Sequence, residues 1–209
     1  NTLKTAEEVL DNRFGDNKLD ALAHHLICSR SPFPEDKQKH MEDFFRIPFG
    51  DRGEPLTAHC CVKIWPSVHA AADEKYIEQA LTEVTQPLLQ ARLFFAKMRS
   101  ILYRLICCTK FSERMDWLEE YEGQMESLMV NIQRIPNTQR LVAHAHFLFA
   151  LRFACFEECN SAYVHLQLGQ KIGSHLVDED IVKDSTLIEG TVEQILDDIY
   201  NEDDEDDEE

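Results

Sequence analysis

The stretch LVAHAHFLFALRFACFEECNSAYVHLQLGQKIGSHL, residues 141–176, gives the clearest indication of how this chain folds. Its apolar residues recur at steps of three and four, which places them on one face of an α-helix. A short polar break at Cys159-Asn160-Ser161 separates two such segments. Because a short connection joins antiparallel neighbours, the stretch predicts a helical hairpin.

The composition of the whole chain favours the same class of structure. Only seven glycines and seven prolines occur among 209 residues, although glycine alone normally makes up about 7 % of a globular chain. Helical spacing of apolar residues also runs through residues 1–29 and 67–136. We therefore predict an all-α fold of antiparallel helical hairpins, forming a solenoid-like or irregular bundle with a disordered acidic C-terminal tail.

Residues 30–66 depart from this pattern, because they contain five of the seven prolines. Proline removes a backbone donor and disfavours helical conformation in the residue before it. The segment is therefore predicted to be loop-rich, with one short helix near residues 37–45. In terms of domains, we predict a helical domain over residues 1–177 that carries this loop-rich insertion.

Residues 143–176 resemble a tetratricopeptide repeat, whose usual length is about 34 residues. Phe149 and Ala150 stand at the large–small pair of that family, and Phe153 stands at the aromatic position of its first helix. His146 replaces the usual tryptophan-like residue, and no proline closes the repeat. The small, large and small positions of the second helix are held by Ala162, Leu166 and Gly169. The resemblance implies a helical-repeat adaptor and attaches no enzymatic activity.

Negative charge is concentrated at the C-terminal end, where residues 178–209 carry −15 of the net charge of −18. Residues 178–200 predict an acidic amphipathic docking helix, in which Thr186 and Glu189 form a capping box. Residues 201–209, NEDDEDDEE, have no apolar side chain and predict a disordered acidic tail. The residues predicted to contact a partner are Ile188, Val192, Ile195 and Ile199 on the helix, and Asp203, Asp204, Glu205, Asp206 and Asp207 in the tail.

Cysteine patterns do not predict a metal site. His59-Cys60-Cys61 and the pair Cys155/Cys159 are rich in ligand types. Structural zinc, however, normally shows a second pair of ligands at matching spacing, and neither group has one. Buried thiols at helix interfaces are the favoured interpretation.

Histidine and catalytic patterns lead to the same expectation. His24 and His25 are adjacent, and His144 and His146 are two apart, so the members of each pair point in different directions on a helix. The chain has no nucleophile elbow, phosphate-binding loop or Rossmann fingerprint. We accordingly predict no catalytic residue, no metal and no cofactor.

Charge and cysteine content also bear on partners and compartment. An acidic protein repels phosphates, which disfavours direct binding to nucleic acid. The most apolar long run, residues 88–108, contains four basic side chains and does not predict a membrane span. Seven cysteines without a regular framework indicate reduced thiols and hence a cytoplasmic or nuclear protein.

These observations lead to two functional predictions from different classes. The first is a non-catalytic scaffold or adaptor, a subunit of an intracellular complex that binds one or more protein partners through a helical surface. The alternative is a histone-chaperone-like or nucleic-acid-mimicking acidic protein that binds a basic partner by charge. Charge-driven binding weakens steeply with salt, so the two are separable. The oligomeric state is left open.

Overall fold

The computed structural model describes residues 2–12, 14–62, 70–107, 116–118, 121 and 123–206. Ten α-helices have both ends within these residues, and no strand occurs there, so the all-α prediction is confirmed for the described part. Within the same residues, no helix combines the length and apolar character that crossing a membrane requires. In chain order the helices are α1 (Thr2–Asn12), α2 (Asn17–Arg30), α3 (Pro34–Arg46), α4 (Phe49–Val62), α5 (Ala70–Glu83), α6 (Pro87–Cys107), α7 (Gln124–Gln133), α8 (Gln139–Ala154), α9 (Cys159–Leu176) and α10 (Glu179–Asp206).

The chain forms two compact units, residues 1–100 and 101–209, which divide inside α6 after Ser100. The sequence predicts its main boundary after residue 177. The structure differs there, because α10 follows that point and yet shares a hydrophobic core with α8 and α9. α10 is thus an integral part of the second unit.

The first unit is built on helices α2 to α5 and the first part of α6. α2 is preceded by its N-cap residue Asp16, whose carboxylate accepts hydrogen bonds from the backbone N–H groups of Lys18 and Leu19. Such a cap satisfies donors that a helix start leaves unpaired. The core then collects buried apolar side chains from all five helices, among them Cys28, Met41, Phe44, Ala58, Ile77 and Leu93.

Arg52 of α4 is a charged residue inside this core, with 4 % of its surface exposed. Its guanidinium donates to the carbonyl of Ile47 at 2.9 Å and to the hydroxyl of Thr57 at 2.8 Å. It also pairs with the carboxylate of Glu83 on α5 at 2.9 Å, and it lies 4.7 Å from the ring centroid of Phe45. Each of the three guanidinium nitrogens has an acceptor, and the buried charge links α4 to α5.

Helices fill most of residues 30–66, so the predicted loop-rich insertion is wrong there. Pro34 stands in the first turn of α3, a position where no intrahelical partner is lost with its N–H. In α4, Gly53 has a φ of 74°, a left-handed conformation that glycine adopts without strain, and Pro55 directly follows this kink. Pro34 and Pro55 therefore lie at a helix start and beside a kink. Residues 63–69, which include the end of the predicted insertion, lie outside the described residues.

The second unit contains the hairpin predicted from residues 141–176. Its helices are antiparallel, since Ala143 of α8 lies against Gly169 of α9, whereas Phe153, further along α8, lies against the earlier residue His165. The likeness of this hairpin to a tetratricopeptide repeat stays a prediction. α10 then packs on both helices and completes the core of the unit.

Candidate functional site

The predicted docking face of α10 lies inside the second unit. Val192 is fully buried, and Ile188 and Ile195 pack, partly buried, against the same core. In this arrangement the three side chains bind within the chain and are not presented to another protein. The side chain of Ile199 lies outside the described residues. The core that receives this face includes Ala143, Phe147, Ala150, Leu151 and Leu166.

The start of α10 differs from the predicted capping box, which is wrong. Asp178 caps the helix, because its Oδ1 accepts from the N–H of Asp180 at 3.1 Å and from that of Ile181 at 3.3 Å. Thr186 lies inside the helix, where its hydroxyl donates to the carbonyl of Val182 at 3.2 Å. The spacing of Thr186 and Glu189 therefore does not mark a helix start here. Thr186 is an interior residue whose hydroxyl bonds to the preceding turn.

Polar contacts also hold the start of α10 against α8. Arg140 lies 3.5 Å from the carboxylate of Asp178 and 3.3 Å from that of Asp180. One turn further along α8, Nε2 of His144 lies 3.0 Å from Oδ2 of Asp184. Pairs this exposed contribute up to about 1 kcal/mol each, and their chief effect is to fix the register of α10 on α8.

With its apolar face covered, α10 turns carboxylates outward. Its helical backbone continues through Asp206, so that Asp203, Asp204, Glu205 and Asp206 of the predicted tail extend the helix. Asp207 lies outside the described residues. The exposed acidic side chains of the described part of this outer face are Glu179, Asp180, Asp184, Glu193 and Asp197.

The outer face of α9 exposes apolar side chains that sequence reasoning did not single out. Tyr163, Val164 and Leu168 are 38 %, 54 % and 40 % exposed, respectively. We call these three residues the α9 patch. Val164 and Leu168 are four residues apart and therefore neighbours on the helix surface. The opposite face of α9 is fixed in the core by Ala162 and Leu166.

The cysteines that the sequence offered as ligand types lie in or near the cores. Cys60 and Cys61 are buried in the first unit, Cys155 is buried in the second, and Cys159 is partly exposed. A hydrogen bond with the thiol of Cys28, together with burial, raises the pKa of the Cys60 thiol well above its usual value. A thiol that resists ionisation is neither a strong nucleophile nor a ready metal ligand.

A cluster that sequence reasoning missed lies between α2 and α3. Nδ1 of His24 and Nδ1 of His40 are 2.9 Å apart, and their ring centroids are 5.1 Å apart. Asp43 joins them, so that one ligand atom from each residue lies within 4.8 Å of the others. Burial lowers the pKa of both imidazoles. The next largest cause is the neighbouring His40 for His24 and the charge of Lys39 for His40. Both side chains are nevertheless partly open to solvent.

A second histidine pair lies between α8 and α9. Nδ1 of His146 is 3.1 Å from Nδ1 of His165. The ring of His165 also packs against Phe149 and Phe153, with centroid distances of 4.9 Å and 5.2 Å. Burial, and next the neighbouring His165, lowers the pKa of His146 to about 4. The two pairs thus have similar Nδ1–Nδ1 distances, but the first pair lies beside the carboxylate of Asp43 and the second lies beside aromatic rings.

The partners in each pair are far apart in sequence, which is why inspection of neighbouring histidines did not find them. The spacing of His40 and Asp43, three residues apart, was the one available signal, since it sets both on one helix face. Only the packing of α2 on α3 adds His24 to them.

Comparison with known proteins assigns no family to the chain. No family model matches it, and neither curated proteins nor solved structures show significant similarity to it. Its function is therefore inferred from the geometry of its own residues.

Proposed function

We propose that this chain is a non-catalytic scaffold or adaptor subunit that binds a protein partner through the α9 patch. The observation that carries the proposal is the exposure of Val164 and Leu168 as neighbours on the outer face of α9, with Tyr163 exposed at the flank of that face. Apolar side chains that are contiguous on a surface mark interaction sites more often than scattered ones do.

The chemistry of the α9 patch suits a helical or extended protein segment. Tyrosine is enriched at protein interfaces because its ring is apolar while its hydroxyl still bonds to water or a partner. Gln167 and Lys171 are exposed beside the apolar residues and provide a polar rim. Because α9 is already anchored in the core by its other face, ordering it on binding costs little conformational entropy.

The test compares partner capture by the full-length protein and by the double variant Val164→Ser, Leu168→Ser. Capture from the native source is carried out at about 0.15 M and about 0.5 M salt, since salt screens charge but not apolar contacts. We expect a partner that stays bound to the unmodified protein at high salt and is lost from the double variant.

Leu187→Ser provides the matched control, because Leu187 is 70 % exposed on α10 and is not part of the α9 patch. This variant should retain the partner at both salt concentrations. If the double variant captures the same proteins as the control at high salt, the α9 patch is not the binding surface.

Binding of a basic partner by charge is the second candidate, and one observation favours it. α10 buries one apolar face against its own unit, and the surface that it presents outward carries exposed carboxylates, including Glu193 and Asp197, alongside exposed Val182 and Leu187. The variant Glu193→Gln, Asp197→Asn removes two exposed carboxylates. Under this candidate, the affinity for a lysine-rich peptide falls steeply with salt and falls further in the variant. Fluorescence anisotropy measures this affinity. An affinity that changes neither with salt nor in the variant would contradict binding by charge.

A further inference from the structure

We propose that His24, His40 and Asp43 bind a divalent transition metal ion of the zinc type. The ligand atoms would be one ring nitrogen of each imidazole and one carboxylate oxygen, and these three atoms lie within 4.8 Å of one another. Imidazole and carboxylate together suit zinc and its neighbours better than they suit calcium or magnesium, which prefer oxygen alone. The site lies in the first unit and is independent of the proposed adaptor function.

The spacing of the two imidazoles is close to that of a metal site. Zinc–nitrogen bonds of about 2.0–2.1 Å in tetrahedral geometry place two ligand nitrogens about 3.3 Å apart. The Nδ1 atoms of His24 and His40 are 2.9 Å apart, so a small rotation of either ring makes room for the ion. Without a metal, this contact is attractive only when one Nδ1 carries a proton, because two lone pairs facing each other repel.

The three ligands stand on rigid, packed helices. His40 and Asp43 lie one above the other on α3, while His24 approaches from α2. Buried Cys28 joins the two helices, since its thiol donates to the carbonyl of Lys37 at 3.4 Å. Ligands held by packed helices lose little freedom when a metal binds, which favours affinity.

The surroundings of the cluster favour a cation and leave a path for it. A cleft of about 510 Å³ opens beside the cluster and is lined by Glu7 and Asp11 of α1 as well as by Lys39. The two carboxylates outnumber the single ammonium group. A metal held by three protein ligands keeps a fourth position for water, and here that position faces the cleft.

Arg46 constrains the carboxylate of the cluster. Its Nη1 donates to Oδ1 of Asp43 at 2.6 Å. A contact of this kind orients a metal ligand from outside and leaves the second carboxylate oxygen available.

The pair His146 and His165 provides a comparison within the same chain. Its Nδ1 atoms are also close, at 3.1 Å. Among the described residues, however, no carboxylate or thiol joins this pair to make a set of three ligands. A ring of Phe149 occupies the neighbouring space instead. Two histidines alone bind zinc weakly, so this second pair is the natural control.

The experiment titrates Zn²⁺ into the full-length, tag-free protein by calorimetry, after chelator treatment under reducing conditions. Excess Mg²⁺ is present to occupy the acidic surface of α10. Co²⁺ is titrated in parallel, because its absorption spectrum distinguishes tetrahedral nitrogen and oxygen ligands from thiolates. The variants are Asp43→Asn, the double variant His24→Gln, His40→Gln, and the control His146→Gln, His165→Gln.

We expect the unmodified protein and the control to bind one equivalent of Zn²⁺ with the same affinity. Asp43→Asn should weaken binding at least about 10-fold, since even the loss of a group that only orients a ligand has an effect of that size. The His24/His40 variant should not bind. Circular dichroism checks the fold of each variant, and because Asp43 is partly exposed, its variant remains decisive if the double variant does not fold.

Three outcomes overturn the proposal. The first is that the unmodified protein binds no Zn²⁺ when Mg²⁺ is in excess. The second is that Asp43→Asn binds as tightly as the unmodified protein. The third is a cobalt spectrum dominated by sulfur charge transfer, which would assign the ion to cysteines.

Discussion

A Cβ atom placed on Gly169 of α9 would overlap Cε1 of Phe147 on α8. The ring of Phe147 is buried, with 2 % of its surface exposed, so it already lies among core side chains. The backbone carbonyl of Ala143 lies 3.0 Å from the same Cβ position. The close approach of the two helices therefore depends on the absence of a side chain at residue 169.

We expect Gly169→Ala to lower the free energy of unfolding by about 1–2 kcal/mol, because overpacking outweighs the better helix propensity of alanine. Urea denaturation followed by circular dichroism measures the change. The control is Gly190→Ala on α10, where a Cβ meets no atom within 4 Å. That substitution should stabilise the protein by about 0.5–1 kcal/mol, and effects of equal sign at both positions would contradict the packing argument.

The start of α10 supplies a second prediction. Asp178→Ala removes the cap of the helix and one ion pair with Arg140, and should lower the free energy of unfolding by about 0.5–2 kcal/mol. Thr186→Ala should change it by less than about 0.5 kcal/mol, because an exposed hydroxyl inside a helix adds little. Thermal denaturation compares the two. A larger loss at Thr186 would restore the capping box predicted from the sequence.

The helical class was predictable because it depends on spacing that repeats along the whole chain, as in residues 141–176. The errors arose where one residue has several structural uses. Proline in residues 30–66 suggested loops, but Pro34 opens a helix. Similarly, a threonine and a glutamate three residues apart fit a cap, but Asp178 supplies it. Local sequence does not show whether such a residue lies in a loop, at a helix start or inside a helix, because that depends on packing against neighbouring helices.

The candidate sites were harder to predict than the fold. The apolar face of α10 was recognised from its periodicity, but periodicity does not say whether the chain itself covers the face, as it does at Val192. The cluster of His24 and His40 depends on how α2 packs against α3. The α9 patch was missed because exposed apolar residues such as Val164 follow the same helical spacing as core residues. In each case the missing information is tertiary.

The ion pair between buried Arg52 and partly exposed Glu83 leads to a third prediction. Arg52→Ala leaves the carboxylate of Glu83 without a charged partner, although Gln79 still donates to it, and empties space beside the ring of Phe45. We expect a loss of about 3–5 kcal/mol in the free energy of unfolding, measured by urea denaturation. Lys4→Ala is the control, because its pair with Glu8 is exposed at 72 % and 59 % of the two side chains and contributes about 0–1 kcal/mol. A similar loss in both variants would show that the burial of Arg52 does not matter.

The histidine pair of the second unit leads to a prediction about pH. Burial and His165 lower the pKa of His146 to about 4, whereas histidine in an unfolded chain titrates near pH ~6.5. Between these values the unfolded chain binds a proton that the folded chain does not, so the free energy of unfolding falls as the pH falls. The contribution of neutral His146 is fully present above the unfolded pKa and is lost as the pH falls towards the folded one. Burial also lowers the pKa of the partner His165. The charge of Arg152 lowers that pKa further, whereas the charge of Glu126 raises it.

The corresponding measurement is urea denaturation at pH 7.5 and at pH ~5.5, which stays above the isoelectric point of 4.8 and limits association. A single ideal site loses about 1.4 kcal/mol per pH unit in this range, and partial solvent exposure of the ring reduces this to about 1 kcal/mol. His146→Gln should therefore lose about 1 kcal/mol less than the unmodified protein between the two pH values. Parallel losses in the two proteins would mean that the protonation of His146 is not linked to folding.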